Sequence, residues 1–211
     1  SQMKEKCDAY MGFRADEFHK NVSSAYMSVK LADRKPRILL HACCGPCSTS
    51  CVERLAFDYE VTVFYYNPNI TDQEEYLLRR DSLIKFIDAF NEEFKDKTHV
   101  HYLEGDYKVE DFIKVTQSLC NEPEGGKRCD VCFELRLEEA GRKAKELGMD
   151  YFATAMAVSP HKDYVSILRI GQTIGEANNV KFLDVDFKKK NGLYRQKFCG
   201  CEYARAMMKN K

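Results

Sequence analysis

Short apolar runs alternate with amphipathic stretches along most of the chain, and this alternation predicts five strands separated by helices. The runs are rich in β-branched and aromatic residues, as expected of buried strands. They lie at Ile38–Ala42, Val61–Tyr66, Val100–Leu103, Tyr151–Ala155 and Val180–Val185. Strands that alternate with helices are typical of parallel βαβ units, so the pattern predicts an α/β fold with a mostly parallel sheet.

The predicted helices have recognisable ends. Asp72 is a suitable N-cap, and Gly148 is a suitable C-cap for the helix before the fourth strand. The helices comprise one ending near Phe57, one from Asp72 to about Phe94, Glu110–Leu119, one ending near Gly148, and His161–Ala177. Residues 1–34 have helical spacing of their own, which predicts a helical N-terminal extension ahead of a single domain over 35–211.

Composition narrows the functional class only a little. Lysine plus arginine equals aspartate plus glutamate at 33 each, so net charge indicates no nucleic-acid partner, although the basic segment 188–190 could form a local patch. No apolar run approaches the length of a membrane span, and no signal peptide opens the chain. We therefore expect a cytoplasmic protein without a membrane partner.

Cysteine usage changes this picture, because 10 of the 211 residues are cysteines. Seven of them fall into three tight clusters, which are Cys43/Cys44/Cys47, Cys129/Cys132 and Cys199/Cys201. A secreted disulfide scaffold with this many cysteines is usually shorter and rich in loops. In a long chain with α/β patterning, clustered cysteines instead favour metal binding or thiol redox chemistry.

The first cluster lies where the first predicted strand passes into a helix. The carboxyl ends of parallel strands are where open α/β sheets bind ligands. Backbone N–H groups at the start of a helix lower the pKa of nearby thiols, and the thiolate is the form that binds metals. Gly45 and Pro46 favour a tight turn in which several sulfur atoms converge.

The other two clusters allow more than one interpretation. Cys129 and Cys132 have the CxxC spacing of a thioredoxin-like redox pair, or of half a zinc site whose other ligands come from the first cluster. Cys199 and Cys201 are typical of a strained, easily reduced disulfide, and they could equally hold a second metal. Four cysteines would bind an iron–sulfur cluster, and the remainder imply a second redox or metal function.

Further motifs accompany these cysteines between about Arg37 and Tyr203. They are 39–48 (LLHACCGPCS), 64–70 (FYYNPNI), 74–76 (EEY), 79–80 (RR), 122–129 (EPEGGKRC), 132–137 (CFELRL), 159–162 (SPHK), 193–196 (LYRQ) and 199–201 (CGC). Together they resemble the cobalamin-independent epoxyqueuosine reductases. This resemblance implies a Rossmann-like three-layer sandwich with a five-stranded sheet, akin to the ATP-pyrophosphatase enzymes that modify tRNA. It also implies deoxygenation of epoxyqueuosine in the tRNA anticodon loop.

The resemblance further implies a [4Fe–4S] cluster with an adjacent metal or redox-active thiol site. The predicted cluster ligands are Cys43, Cys44, Cys129 and Cys132. Cys199 and Cys201 are predicted to hold an additional mononuclear iron or to cycle as a redox-active disulfide, with Cys47 as a further ligand of the second metal. A Lewis-acidic metal beside the cluster would weaken the C–O bond of the epoxide.

Removing the epoxide oxygen also requires proton donors and residues that bind the substrate. The candidate proton donors are His161, Tyr66 and Asp130. Asn67 and Asn69 follow the second strand and are predicted to hydrogen-bond the modified base or its diol. Candidate tRNA contacts, to phosphates or by stacking, are Arg79, Arg128, Arg136, Lys162, Tyr194 and Arg195. The predicted partners are tRNA carrying epoxyqueuosine and an external electron donor.

Three other functions compete with this interpretation. A zinc-binding RNA-interaction module without redox chemistry would be colourless and contain zinc. A thiol–disulfide oxidoreductase that acts on proteins would need no iron. An ATP-using tRNA thiolation enzyme of similar fold would need a Ser-Gly-Gly-x-Asp-Ser type phosphate loop after the first strand, where this chain has cysteines instead.

Overall fold

The computed structural model describes residues 34–159, 162–185 and 201–203. Its strands are β1 (Arg37–Ala42), β2 (Glu60–Tyr65), β3 (Val100–Glu104), β4 (Tyr151–Thr154) and β5 (Lys181–Phe182). Its α-helices are α1 (Gly45–Leu55), α2 (Gln73–Glu93), α3 (Val109–Thr116), α4 (Lys127–Glu146) and α5 (Tyr164–Asn178). Short 3₁₀ segments follow α3 at Gln117–Leu119 and β4 at Ala155–Val158.

The strands form one sheet in the order β3-β2-β1-β4-β5, and every neighbouring pair is parallel. The chain winds outward from β1 through β2 to β3, and then returns to the other side of β1 to add β4 and β5. This is the doubly wound order of Rossmann folds, with its switch point between β1 and β4. The predicted α/β fold with a parallel five-stranded sheet is therefore confirmed.

Helices cover both faces of the sheet and make three layers. Leu40 and Val63 belong to a core that includes residues of α1 and α2. Leu39 and Phe152 face the opposite way, into a second core with residues of α4 and α5. Successive side chains of a strand point to opposite faces, so strands covered on both sides are apolar throughout. This explains why the strands appear in the sequence as continuous apolar runs.

The helix caps confirm two sequence predictions. The side chain of Asp72 accepts hydrogen bonds from the backbone N–H groups of Glu74 and Glu75 at the start of α2. Gly148, just beyond α4, has a φ of +63°, in the left-handed region that favours glycine. These local signals therefore place the ends of the two longest helices.

The last strand and the last helix differ from the predictions. β5 has two residues instead of the predicted run to Val185, because it lies at the sheet edge and pairs only with the short β4. Helix α5 begins at Tyr164, where Asp163 acts as N-cap by accepting from the N–H of Val165. The predicted helix start at His161 lies outside the described residues.

Some predictions concern parts of the chain that the structure does not describe. These are the extension over 1–34, apart from Arg34, and the basic segment 188–190. Among the described helices, none combines the length and apolar character that a membrane crossing requires.

Candidate cysteine-centred active site

The carboxyl ends of β1 and β4 lie side by side at the switch point of the sheet, the usual ligand-binding position in doubly wound folds. His41 of β1 pairs in register with Thr154 of β4. Cys43 and Cys44 come directly after β1, so the first cysteine cluster lies at this edge.

Cys43, Cys44 and Cys47, which we call the cysteine trio, gather their sulfur atoms on the turn between β1 and α1. All three sulfurs lie within 4.8 Å of one another, and Sγ of Cys43 is 3.9 Å from Sγ of Cys44. Cys44 is extended and Pro46 lies in the first turn of α1, so the chain reverses within a few residues. Within the described ranges, this is the one group of three or more potential ligands close enough to share a metal ion.

The thiols of the trio differ in pKa. Hydrogen bonds from the Cys44 and Cys47 thiols hold the pKa of Cys43 well below its usual range, although burial opposes this effect. The Cys47 pKa rises to about 12, mainly because its thiol is hydrogen-bonded to Cys43. The trio thus readily carries one negative charge, and further deprotonation calls for a bound cation. Metal binding that releases protons is the expected behaviour of such a set.

Helix α2 packs directly against the turn that carries the trio. A Cβ atom added to Gly45 would lie 2.9 Å from the Oγ atom and 3.0 Å from the carbonyl oxygen of Ser82. Real Cβ atoms rarely approach a backbone carbonyl so closely, so glycine is required by close packing here.

We therefore expect Gly45→Ala to lower the free energy of unfolding by about 1–3 kcal/mol, the usual cost of overpacking. Urea denaturation measures this change. Adding Ser82→Ala should recover only part of the loss, because the Ser82 carbonyl remains in place. Wild-type stability in Gly45→Ala would contradict this prediction.

A buried histidine of β1 connects β4 to the residue that follows β2. Nδ1 of His41 lies 3.0 Å from Oγ1 of Thr154, and Nε2 lies 2.9 Å from the carbonyl oxygen of Tyr66. Because that carbonyl can only accept, Nε2 carries the proton and Nδ1 accepts from the Thr154 hydroxyl. Burial, aided by the positive charge of Arg136, lowers the pKa of His41 to about 4. The imidazole is thus neutral at neutral pH.

The loop after β2 is tied to the same edge. Nδ2 of Asn67 donates to the carbonyl oxygen of Ala42 at 2.8 Å, immediately before the trio. The N–H of Ile70 closes a turn onto the carbonyl oxygen of Asn67. Both Asn67 and Asn69 are 1% exposed, and the Oδ1 atom of each has no hydrogen-bond partner among the described residues. Buried acceptors of this kind suit a ligand that supplies hydroxyl or amino donors.

Cationic side chains lie near the trio and near His41. Arg79 is 4% exposed, bound to Glu75 at 2.6 Å, and close enough to Cys43 for an electrostatic interaction. The half-buried Lys162 acts on Cys43 in the same way. Arg136 is buried, donates to the carbonyl of Cys132, and acts electrostatically on His41. The charges of Arg79 and Lys162 favour negative charge on the sulfurs. Both arginines are buried, unlike ordinary surface residues that contact phosphates.

The second cysteine pair occupies the first turns of α4. Sγ of Cys129 accepts from the N–H of Gly125 at 3.2 Å, and Cys132 is buried. Among the described residues, neither sulfur belongs to the compact group that the trio forms. The four-ligand set drawn from both loops therefore stays a prediction.

Part of the third cluster is described. Cys201 is 9% exposed and lies in one small buried cluster with Cys132 of α4 and Phe112 of α3. The structure thus brings this cysteine near the start of α4. Four further predicted site residues lie outside the described ranges, and they are Cys199, His161, Tyr194 and Arg195.

The candidate proton donors differ in their surroundings. The Tyr66 ring stacks on Phe64 in the second core, and burial, with smaller contributions from Glu139 and other carboxylates, raises the pKa of Tyr66 to about 12. Asp130 is half-buried in the first turn of α4, next to Cys129. The roles of both as proton donors stay predictions.

Sequence reasoning assigned no site role to His41, Thr154 or Ser82. The sequence could have indicated a role for His41, because a histidine inside an otherwise apolar strand must find internal hydrogen-bond partners. It could not have indicated roles for Thr154 and Ser82, since their importance depends on which strand and which helix lie beside the turn.

Comparison with known proteins identifies the family. The family model for epoxyqueuosine reductase QueH matches residues 38–207. The chain belongs to this family. The epoxyqueuosine reductase QueH of Streptococcus pyogenes serotype M1 is 40% identical over 185 residues, covering 82% of this chain and 72% of that protein. The epoxyqueuosine reductase QueH of Staphylococcus epidermidis is 39% identical over 184 residues, covering 81% of this chain and 76% of that protein. That of Thermotoga maritima is 31% identical over 182 residues, covering 79% of this chain and 89% of that protein.

Family membership confirms the resemblance that the motifs indicated. It makes the protein an enzyme of the oxidoreductase class. The family match includes all three cysteine clusters, since it extends from β1 to residue 207.

Proposed function

We propose that the protein reduces epoxyqueuosine in the anticodon loop of tRNA to queuosine. The observation that carries this proposal is the cysteine trio at the switch point of the sheet, in a chain whose named relatives are epoxyqueuosine reductases. A compact sulfur group in the ligand-binding position of a doubly wound fold is suited to redox chemistry on a bound substrate.

The proposed reaction balances as a two-electron reduction. Both C–O bonds of the epoxide break, a C=C bond forms between the two carbons, and the oxygen leaves as water after taking up two protons. The electrons come from an external one-electron donor, which is the second partner besides tRNA. The protein must therefore bind the substrate, deliver electrons and supply protons at one place.

The donor set fits an iron–sulfur centre. The trio offers only sulfur ligands, and one of its thiols is easily deprotonated. We assign the [4Fe–4S] cluster to Cys43, Cys44, Cys129 and Cys132. Cys47 is the member of the trio left for an additional iron, with Cys199 and Cys201 as its ligands or as a redox-active pair. When bound, such centres supply single electrons and Lewis acidity toward the epoxide oxygen.

The predicted site residues other than the cysteines bind the substrate and protonate the leaving oxygen. The Oδ1 atoms of Asn67 and Asn69 accept hydrogen bonds from the cyclopentane diol. Arg79 and Lys162 stabilise the negative charge that accumulates near the trio during electron uptake. His161, beside Lys162, and Asp130, beside Cys129, are the proposed proton donors, since the Tyr66 ring lies in the second core.

An anaerobic assay tests the proposal. The protein is reconstituted with iron and sulfide, supplied with dithionite and a viologen, and incubated with tRNA that carries epoxyqueuosine. Mass spectrometry of the digested nucleosides should show loss of one oxygen atom and formation of queuosine. If iron-loaded protein leaves epoxyqueuosine unchanged, the proposal is wrong. A colourless protein that contains zinc and binds the tRNA would indicate the RNA-binding module instead.

Asn67→Ala is expected to lower kcat/KM for the tRNA about 5- to 150-fold, because a hydrogen bond to a buried polar group contributes about 1–3 kcal/mol. Steady-state kinetics measure the change. Asn91→Ala is a matched control, because both of its amide atoms bond to the backbone of Val100. That control should lose stability and keep kcat/KM. Equal losses of kcat/KM in the two variants would exclude a substrate-binding role for Asn67.

A further inference from the structure

The segment Cys201–Tyr203 is seated on the start of α4 and on α3. Cys201 shares a buried cluster with Cys132 and Phe112, and the Tyr203 ring packs against this cluster. The ring centroids of Tyr203 and Phe112 are 6.2 Å apart. The contacts of Cys201 and Tyr203 therefore place this segment against both helices.

We call the packing of Cys201 and Tyr203 against α3 and α4 the seat of Cys201. Arg128 supplies its polar contacts. It is 2% exposed, and its guanidinium carbon lies 4.4 Å from the ring centroid of Tyr203. One guanidinium nitrogen donates to the backbone carbonyls of the preceding loop, which are those of Leu119 (3.3 Å), Cys120 (3.1 Å) and Glu122. The group is thus held at its edge by the loop, while its face is covered by the ring, a geometry suited to guanidinium and not to ammonium.

Arg128 lies in the first turn of α4, the helix that carries Cys129 and Cys132. It directly precedes Cys129 on α4, and Cys132 lies one turn further along. A single buried side chain therefore fixes both the start of the helix that carries one cysteine pair and the segment that carries Cys201.

We propose that Arg128 is a positioning residue that clamps the Tyr203 ring and thereby holds the Cys201 thiol in the buried cluster beside α4. The expected effect of this clamp on the turnover rate rests on the proposed function, in which Cys201 is a redox or metal-binding thiol. Such a thiol must be held in a defined place to exchange electrons or bind iron productively. We favour this role over a tRNA phosphate contact, because Arg128 is 2% exposed, one of its guanidinium nitrogens donates to backbone carbonyls and its guanidinium carbon lies over the Tyr203 ring.

Thiol alkylation tests the seat without iron or substrate. The full-length, reduced, iron-free protein is treated with iodoacetamide, and tandem mass spectrometry of the tryptic peptide 198–205 localises label on Cys201. We expect Tyr203→Leu and Arg128→Lys to increase the Cys201 alkylation rate about tenfold, within the range of a desolvated cation–π contact. Tyr203→Phe keeps the ring and should behave as wild type. Cys51, which is fully buried in α1, should stay protected throughout.

Kinetics of the iron-loaded protein give the second readout. Tyr203→Leu should lower kcat and leave KM for the tRNA unchanged, and Tyr203→Phe should restore kcat. An unchanged Cys201 rate in Tyr203→Leu overturns the proposal, as does a rise that extends to Cys51. Faster alkylation with unchanged kcat overturns the catalytic meaning of the seat. An inactive wild type that shows the expected alkylation pattern would instead count against the proposed function alone.

Discussion

Replacement of Cys43 by serine should abolish iron binding and lower turnover by about three orders of magnitude or more, because groups that act as one unit fail together. Cys43 is the trio member whose pKa is lowered, through hydrogen bonds from Cys44 and Cys47. Serine preserves the size and shape of the side chain but offers a hydroxyl that stays protonated at neutral pH. Iron and sulfide analysis after anaerobic reconstitution, followed by the tRNA assay, measures both effects.

Two other cysteines serve as controls for this prediction. Cys120→Ala changes an exposed thiol, and Cys51→Ala changes a buried one on α1 outside the trio. Both variants should bind iron as the wild type does, and Cys51→Ala should lose only some stability. Full iron content in Cys43→Ser would remove Cys43 from the ligand set. Iron loss in Cys120→Ala would show that the assay reports general thiol damage.

Replacement of His41 by leucine should destabilise the protein by about 2–6 kcal/mol, because two buried polar groups lose their partner at about 1–3 kcal/mol each. These groups are the carbonyl of Tyr66 and the hydroxyl of Thr154. The loss is a large fraction of the stability of an ordinary domain. Urea denaturation measures it, and a fall in kcat/KM is expected as the Tyr66–Asn67 loop loses its link to β1.

Two further substitutions separate the bonds of His41. In His41→Gln the side-chain amide can take the place of Nε2 and donate to the Tyr66 carbonyl, whereas in His41→Asn it can take only the place of Nδ1 beside Thr154. If the link to Tyr66 positions the substrate loop, His41→Gln should retain about tenfold more activity than His41→Asn. Equal activities would contradict a special role of the link to Tyr66, and reversed activities would mean that the link to Thr154 matters more.

Most of the fold could be predicted from local patterns. Apolar runs place β1 to β4, and the capping residues Asp72 and Gly148 place two helix ends. The prediction failed at β5, because a run such as Val180–Val185 does not record how many partners its strand will find. Propensity belongs to the segment, whereas strand length at a sheet edge depends on the neighbouring strand.

The site was predictable only where its residues are close in sequence. The trio spans five positions, so spacing alone suggested that its sulfurs converge. The seat of Cys201 was not predictable, because Arg128 and Tyr203 are adjacent only in the fold. Arg79 and Arg136 illustrate the same limit, since they were predicted as candidate tRNA contacts and the sequence did not indicate that the structure buries both.

The position of β1 in the middle of the sheet has a consequence for how the protein is made. His41 and its partner Thr154 are 113 residues apart, so the trio emerges from the ribosome long before β4 can cover one side of β1. Parallel strands joined by long crossovers pair late, and until then the three thiols are open to oxidants. We therefore expect iron to enter after synthesis of the carboxyl half of the chain, so that the yield of active enzyme depends on the reducing conditions that the nascent chain meets.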